Sequence, residues 1–179
     1  LAAQNILGDL FNYFVIFFDR PFEIGDFIVV DDKKGNVEHI GIKTTRVKSL
    51  TGEQLVFSNS DLTNSRIHNF KRMERRRIAF TLGVVYETAS DQLKEISVIV
   101  KKIIDDQPNA TLDRVHFLAY GDYSLKFEVV YFAETADFNL YADIQQEINF
   151  KIFEVFKEKG IHFAYPSQTI FLPRDITTN

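Results

Sequence analysis

The stretch "DRPFEIGDFIVV", residues 19–30, divides this 179-residue chain into two kinds of text. Before it stands "LAAQNILGDLFNYFVIFF", residues 1–18, dominated by Leu, Phe, Ile and Val. After it come short runs rich in β-branched residues. Pro21 has no backbone donor and stops a helix, and Gly25-Asp26 supplies a bend ahead of the alternating "DFIVV". The stretch therefore reads as helix end, turn and first strand.

Working outward toward the N-terminus, Asn5, Asp9 and Asn12 fall four and three residues apart and form one narrow polar stripe on an otherwise apolar helix. Eighteen residues reach about 27 Å, slightly short of a ~30 Å hydrocarbon core, and Asp9 lies in the middle. On these residues alone the run is a buried or interfacial helix. The alternative is the end of a longer membrane helix. The first residue is Leu and no basic segment precedes the apolar run, which does not fit a signal peptide; the expectation is a segment of a longer protein.

Toward the C-terminus, "DFIVV", "GNVEHIGI", "KTTRVKSL", "EQLVFS" and "RIHNF" read as five short strands, with Gly35, Gly41 and Thr51-Gly52 as punctuation, and so predict a small barrel. "NSDLTNS" is a polar turn or one helical turn. "KRMERRR", residues 71–77, marks a boundary. Beyond it, Ile78, Phe80, Leu82 and Val84 share a strand face, and Leu93, Ile96, Val100 and Ile103 share a helix face behind a cap at Ser90. "DRVHFLAYGDYSLKFEVVYF" predicts two strands joined at Gly121-Asp122. A second helix follows, capped by Asp137, with Tyr141, Ile144, Ile148, Ile152 and Val155 on one face and Gly160 at its end. "QTIFL" is the expected last strand. The order is β-α-β-β-α-β, a split arrangement with both helices on one face of the sheet. The fold class is thus α+β, with a helix over 1–18, a β domain over 19–72 and a ferredoxin-like αβ domain over 73–179.

Composition narrows the function. Charged residues make up 26% and hydrophobic ones 45%, which is globular material, and the net charge of −4 does not favour a polyanionic partner. The absence of cysteine removes disulfides, thiolate metal sites and a cysteine nucleophile. Eighteen Phe against no Trp point to large packed or lipid-adjacent surfaces. His39, His68, His116 and His162 lack metal-ligand spacing. Asp31-Asp32 and Asp105-Asp106 read as solvated turn and helix-end residues. No nucleophile elbow, P-loop or dinucleotide fingerprint occurs, so neither an enzyme nor a cofactor is indicated. The basic run 71–77 leaves one rival, a soluble nucleic-acid-binding protein with Sm-like and RRM-like domains relying on Lys71 and Arg75 to Arg77. The acidic balance and the lack of a basic-Gly-aromatic pattern in "LKFEVVYF" weigh against it, and no nucleic acid is expected.

Four segments carry a resemblance: "LAAQNILGDLFNYFVIFFDRPFEIGDFI", "LVFSNSDLTNSRIHNF", "LAYGDYSLKFEV" and "GIHFAYPSQTIFL". In this order they resemble the end of the pore helix and the cytoplasmic region of the small-conductance mechanosensitive (MscS) channel family. The resemblance implies a pore-type helix, an Sm-like β barrel and a split αβ domain, assembled as a heptameric ring. It implies no cofactor, and a place at the cell (inner) membrane with most of the chain on the cytoplasmic side. The implied partners are further copies of the chain, the bilayer, and permeating ions and small osmolytes. Leu1, Gln4, Asn5 and Gly8 are the implied pore and hinge residues. Arg20, Pro21, Phe22, Gly25 and Asp26 form the implied junction from helix to β domain, and Asn59, Asn69 and Phe70 its closing segment. Two departures stand out: Ser58 where many members have Pro, and Tyr13 where some have a small residue.

Overall fold

The computed structural model describes residues 2–167, with side chains from Leu7 onward. Two compact units form, over residues 1–74 and 75–179. In the first, helix α1 (Ala2–Asp19) is followed by β1 (Phe27–Val30), β2 (Lys33–Ile40), β3 (Thr44–Ser49), β4 (Gln54–Ser58), the short helix α2 (Asn59–Asn64) and β5 (Ile67–Asn69). A single 3₁₀ turn, Phe70–Arg72, ends the run.

These strands make one antiparallel sheet in the order β4-β3-β2-β1-β5. The predicted barrel is not closed. Among the described residues β4 and β5 are the two edges, and α2 fills the chain between them. β5 is only three residues long and pairs with β1 alone. Gly35 does not punctuate two strands as expected but lies inside β2, where it faces Ser49 of β3. The turn falls instead at Asp31, whose φ is +52°. A Cβ on Gly35 would meet the Lys48 carbonyl oxygen at 2.2 Å, so glycine is required by the close approach of the neighbouring strand.

The alternation of β1 puts Ile28 and Val30 inward, where they join Ile16, Phe22, Val37, Val47 and Leu62 in one small core. Each such side chain contributes about 2 kcal/mol by burial. The core thus draws on the helix, the turn, three strands and α2.

The second unit contains β6 (Arg76–Val84), α3 (Ser90–Asp105), β7 (Ala110–Tyr120), β8 (Leu125–Ala133) and α4 (Phe138–Glu158). Its sheet runs β6-β8-β7, all antiparallel. Beyond α4 the chain returns to β6 through a bridge between Val84 and Phe163. The expected strand "QTIFL" lies outside the described residues. Ile96, Val100 and Ile103 of α3 and Ile144, Ile148 and Ile152 of α4 share a core with Ile78, Val84, Phe127, Val129 and Tyr131 of the sheet, the faces that the spacing predicts.

Both helix ends of α4 follow their sequence signals. Asp137 Oδ1 accepts from the Leu140 N–H at 2.9 Å, and Gly160 adopts φ +65°. Ser90 differs. It is the first helical residue and Ala89 occupies the cap position, where its N–H donates to the Gln92 side chain at 3.3 Å. The basic run is also not a bare connector. Arg76 and Arg77 belong to β6, where the alternating pattern begins earlier than the charges suggest.

Candidate functional site

The junction between α1 and the sheet is built from the residues upward. α1 stops because Arg20 turns left-handed, at φ 45°, while its N–H still donates to Ile16 O at 3.1 Å. Pro21 then blocks any continuation. The Arg72 guanidinium donates to the Arg20 carbonyl, joining the helix exit to the end of the sheet 52 residues later. Phe22 is fully buried in the core and anchors the turn. Gly25, at φ 90°, donates to Val37 O at 2.7 Å and lays the turn along β2.

Asp26 is the centre of this junction, with 3% of its surface exposed. Its Oδ2 accepts from Glu23 N at 3.0 Å and from Asn69 Nδ2 at 2.7 Å, and its Oδ1 faces Lys71 Nζ at 3.0 Å. Burial by itself would push the carboxyl upward. The bonds from Asn69, Lys71 and Glu23, with the charge of Lys71, outweigh it and hold the group below its ordinary value. Asn69 also donates to Pro21 O at 3.1 Å and accepts from Lys71 N at 3.0 Å, so one side chain ties the helix exit, the turn and β5 together. Phe70 packs edge-on against Phe27, with centroids 5.9 Å apart.

Asn59 organises a second knot. It is fully buried; its Nδ2 donates to Gly41 O at 2.8 Å and Ile42 O at 3.0 Å, and its Oδ1 accepts from the buried Thr45 hydroxyl at 2.9 Å. It therefore pins the β2–β3 loop to the start of α2. Ser58 caps α2 by accepting from Asp61 N at 3.0 Å. Its φ of −69° is one that proline also holds, so this departure from the family pattern leaves the backbone path intact and adds a cap.

Along α1, Asp9 and Asn12 of the polar stripe turn toward the rest of the first unit. Asp9 Oδ2 meets Lys43 Nζ at 3.3 Å, Asn12 Oδ1 accepts from Thr63 Oγ1 of α2 at 2.9 Å, and Ile16, next on the same face, is 2% exposed. The opposite surface is apolar and open: Phe11 is 67% exposed and Phe18 72%, and Leu7, Phe14, Val15 and Phe17 are exposed as well. Tyr13 stacks on Phe17 at 6.1 Å. This is the reverse of an ordinary surface helix, whose apolar stripe faces the core. Among the described residues no helix is long and apolar enough to cross a membrane.

The structure thus brings Arg20, Pro21, Phe22, Gly25, Asp26, Asn69 and Phe70 into one junction, and sets Asn59 apart at the start of α2. Gln4, Asn5 and Gly8 lie within α1, and Leu1 lies outside the described residues. Lys71 and Thr63 belong to the site but were not singled out for it. The signal for Lys71 was the need of a buried carboxylate for a cation; for Thr63 it was the polar stripe, which demanded a partner.

Four residues of the basic run are engaged internally, while Arg77 is exposed on β6. Lys71 pairs with Asp26 and Arg72 with Arg20 O, while the Arg75 guanidinium lies 4.3 Å from the Phe132 ring centroid and Arg76 lies over Phe138 and Tyr141. Nucleic-acid binding gains no support from it.

Comparison with known proteins is consistent along the chain. Residues 5–72 match the model of the mechanosensitive ion channel β-domain, and residues 78–163 match that of the mechanosensitive ion channel MscS C-terminal domain. The small-conductance mechanosensitive channel MscMJ of Methanocaldococcus jannaschii is 37% identical over 177 residues, covering 98% of this chain and 50% of the relative. The low conductance mechanosensitive channel YnaI of Escherichia coli is 32% identical, covering 96% and 51%. The chain spans about half the length of these curated relatives. Among solved structures, Arabidopsis thaliana MSL1 superposes with a TM-score of 0.82 at 21% identity, covering 92% of this chain and 61% of that one. Helicobacter pylori MscS in its closed state gives 0.77 at 22%, covering 98% and 68%. These likenesses show the fold. With both domain models matched in order, the chain belongs to the MscS family of mechanosensitive ion channels.

Proposed function

We propose that the natural polypeptide carrying this chain is a membrane channel, opened by tension, through which ions and small osmolytes leave the cell during osmotic downshock. Residues 1–18 continue a pore helix, and the two following units form the wall of a heptameric vestibule on the cytoplasmic side. The observation that carries this reading is the inverted helix α1. Its polar residues Asp9 and Asn12 bond to the sheet unit, while Phe11, Phe14 and Phe18 face outward. Such a surface is at rest only in apolar surroundings.

The mechanism is physical. An apolar constriction stays dry and nonconducting until it widens enough to be wetted. Tension opens it only by favouring the wider state over the narrower one. Leu1, Gln4, Asn5 and Gly8 are the pore and hinge residues in this reading. Arg20 to Asp26, locked to Asn69 and Lys71, make the helix end move as one body with the sheet. Asn59 holds the loop against which Lys43 meets Asp9.

The assembly test is the absolute mass of the natural polypeptide in mild detergent, by light scattering with the detergent contribution subtracted. A ring of seven copies agrees with the proposal. A monomer would end it.

A further inference from the structure

In the second unit, the end of β6, the β7–β8 turn and the segment after α4 enclose a cavity of about 350 Å³. It is lined by Tyr86, Tyr123 and Tyr165, by the carboxylates Glu87 and Asp122, and by Val85 and Ser167. Among the described residues no lysine, arginine or histidine lines it, although the Lys126 side chain lies close by, against Gly121 of the β7–β8 turn. The volume lies within the range of small-molecule sites. Two features make the composition chemically pointed. Tyrosine faces carry a negative quadrupole, which attracts cations lying over the ring, and the attraction grows as the cation loses water. Two carboxylates beside three such rings add net negative charge.

The walls are also fixed before any ligand arrives. The Tyr86 hydroxyl donates to Gly121 O at 2.6 Å, which ties the β6 end to the β7–β8 turn. Gly121 N donates to Ser124 O at 2.7 Å and holds that turn closed. Thr88 Oγ1 donates to Val85 O at 2.6 Å and shapes the loop that carries Glu87. The returning chain is bonded on both sides of the bridge, with Val85 N donating to His162 O at 3.1 Å and Ala164 N to Gly83 O at 2.9 Å, which places Tyr165 at the rim. Preorganised walls reduce the ordering cost of binding. The rings remain open to water, Tyr165 at 71%, so a ligand has surface left to cover.

We infer that this cavity is a binding site for an organic ammonium cation, quaternary or alkylated, held by cation–π contact with Tyr86, Tyr123 and Tyr165 and by the charges of Glu87 and Asp122. An alkylated ammonium fits better than a metal ion. Its apolar methyl groups match the rings, and it surrenders hydration easily. The site is independent of the channel reading, since it lies within the second unit and uses no residue of the α1 junction.

The test uses the whole chain in a maltoside detergent, because choline-headgroup detergents would compete. Choline is titrated against its neutral isostere 3,3-dimethylbutanol, and amide shifts are followed by NMR. The expected result is a saturable shift of the amides of Tyr86, Glu87, Tyr123 and Tyr165 with choline and none with the alcohol. Y123L and Y165L should each weaken choline binding about fivefold. E87Q and D122N, which keep the shape of the pocket, should weaken it while the remaining spectrum stays unchanged. Equal shifts with the alcohol would make the cavity merely apolar and overturn the inference. So would the absence of a saturable shift into the high millimolar range, or unchanged choline affinity in all four variants.

Discussion

Replacing Asn59 by Ala removes three side-chain hydrogen bonds from a fully buried position: the two donated to Gly41 O and Ile42 O, and the one accepted from Thr45 Oγ1. At a net ~1 kcal/mol each, the loss is about 3 kcal/mol. The buried Thr45 hydroxyl is left without this acceptor, which adds to the cost. A local loss of ~3 kcal/mol raises the opening equilibrium of the β2–β3 loop roughly a hundredfold. Hydrogen exchange read by mass spectrometry resolves this. Peptides spanning residues 37–47 and 55–65 should exchange faster by about that factor, while those from α3 and α4 keep their wild-type rates. N59D is a sharper probe, because it sets a carboxylate oxygen against two carbonyls at the positions where Asn59 donates. Its damage should ease at low pH, when the new group is protonated and regains one donor. Wild-type protection at residues 41–45 in N59A would refute the reasoning, since it would mean that the knot contributes no stability.

Asp26 gives a pH prediction with a definite sign. Its folded pKa is held below the ordinary value of 3.8, so its contribution is fully present above that value and is lost as the pH falls through the folded pKa. In D26N the acid limb of the urea midpoint against pH should be flatter than in the wild type; identical acid limbs would contradict the assignment. G35A should destabilise the first unit by roughly 2–4 kcal/mol or prevent folding, because the new Cβ meets the backbone of Lys48 and the buried Val47 side chain, and chemical denaturation measures this. A double-mutant cycle of N12V and T63V should give a coupling of about 1 kcal/mol, whereas additive effects would mean that the bond between α1 and α2 is idle. Replacing Phe14, Phe17 and Phe18 with Gln should abolish flotation with lipid vesicles while far-ultraviolet circular dichroism keeps its strand and helix content. Loss of that content would make the helix surface part of a core.

How far the sequence could be read depended on the range of the interaction. Local rules were enough for the α1 stop at Pro21, for the Asp137 cap and for the faces of α3 and α4, since each follows from residues within a few positions. The junction residues entered through the family resemblance, and what sequence patterning could not supply was their wiring. Asp26 and Asn69 are 43 residues apart, and Asn69 reaches back 48 residues to Pro21. Nothing in local patterning pairs them. The sequence pattern does not decide whether the barrel closes, because five short strands set no limit on how the edges end, and a three-residue β5 pairing with β1 alone leaves the sheet open. Gly35 reads as punctuation because glycine in a strand and glycine in a turn look alike until the neighbouring carbonyl is seen. The basic run reads in sequence only as a domain boundary, yet two of its arginines lie over aromatic rings brought close only by folding. The polar stripe on α1 is legible in the sequence; that Asp9 and Asn12 face inward is seen only in the structure.

The most direct test of the channel proposal is electrical. The natural polypeptide carrying this chain is reconstituted into liposomes free of other channels, and excised patches are stretched by suction. The account predicts discrete conductance steps that appear as tension rises and vanish when it is released. Patches shown to contain the protein that stay silent up to rupture would contradict it.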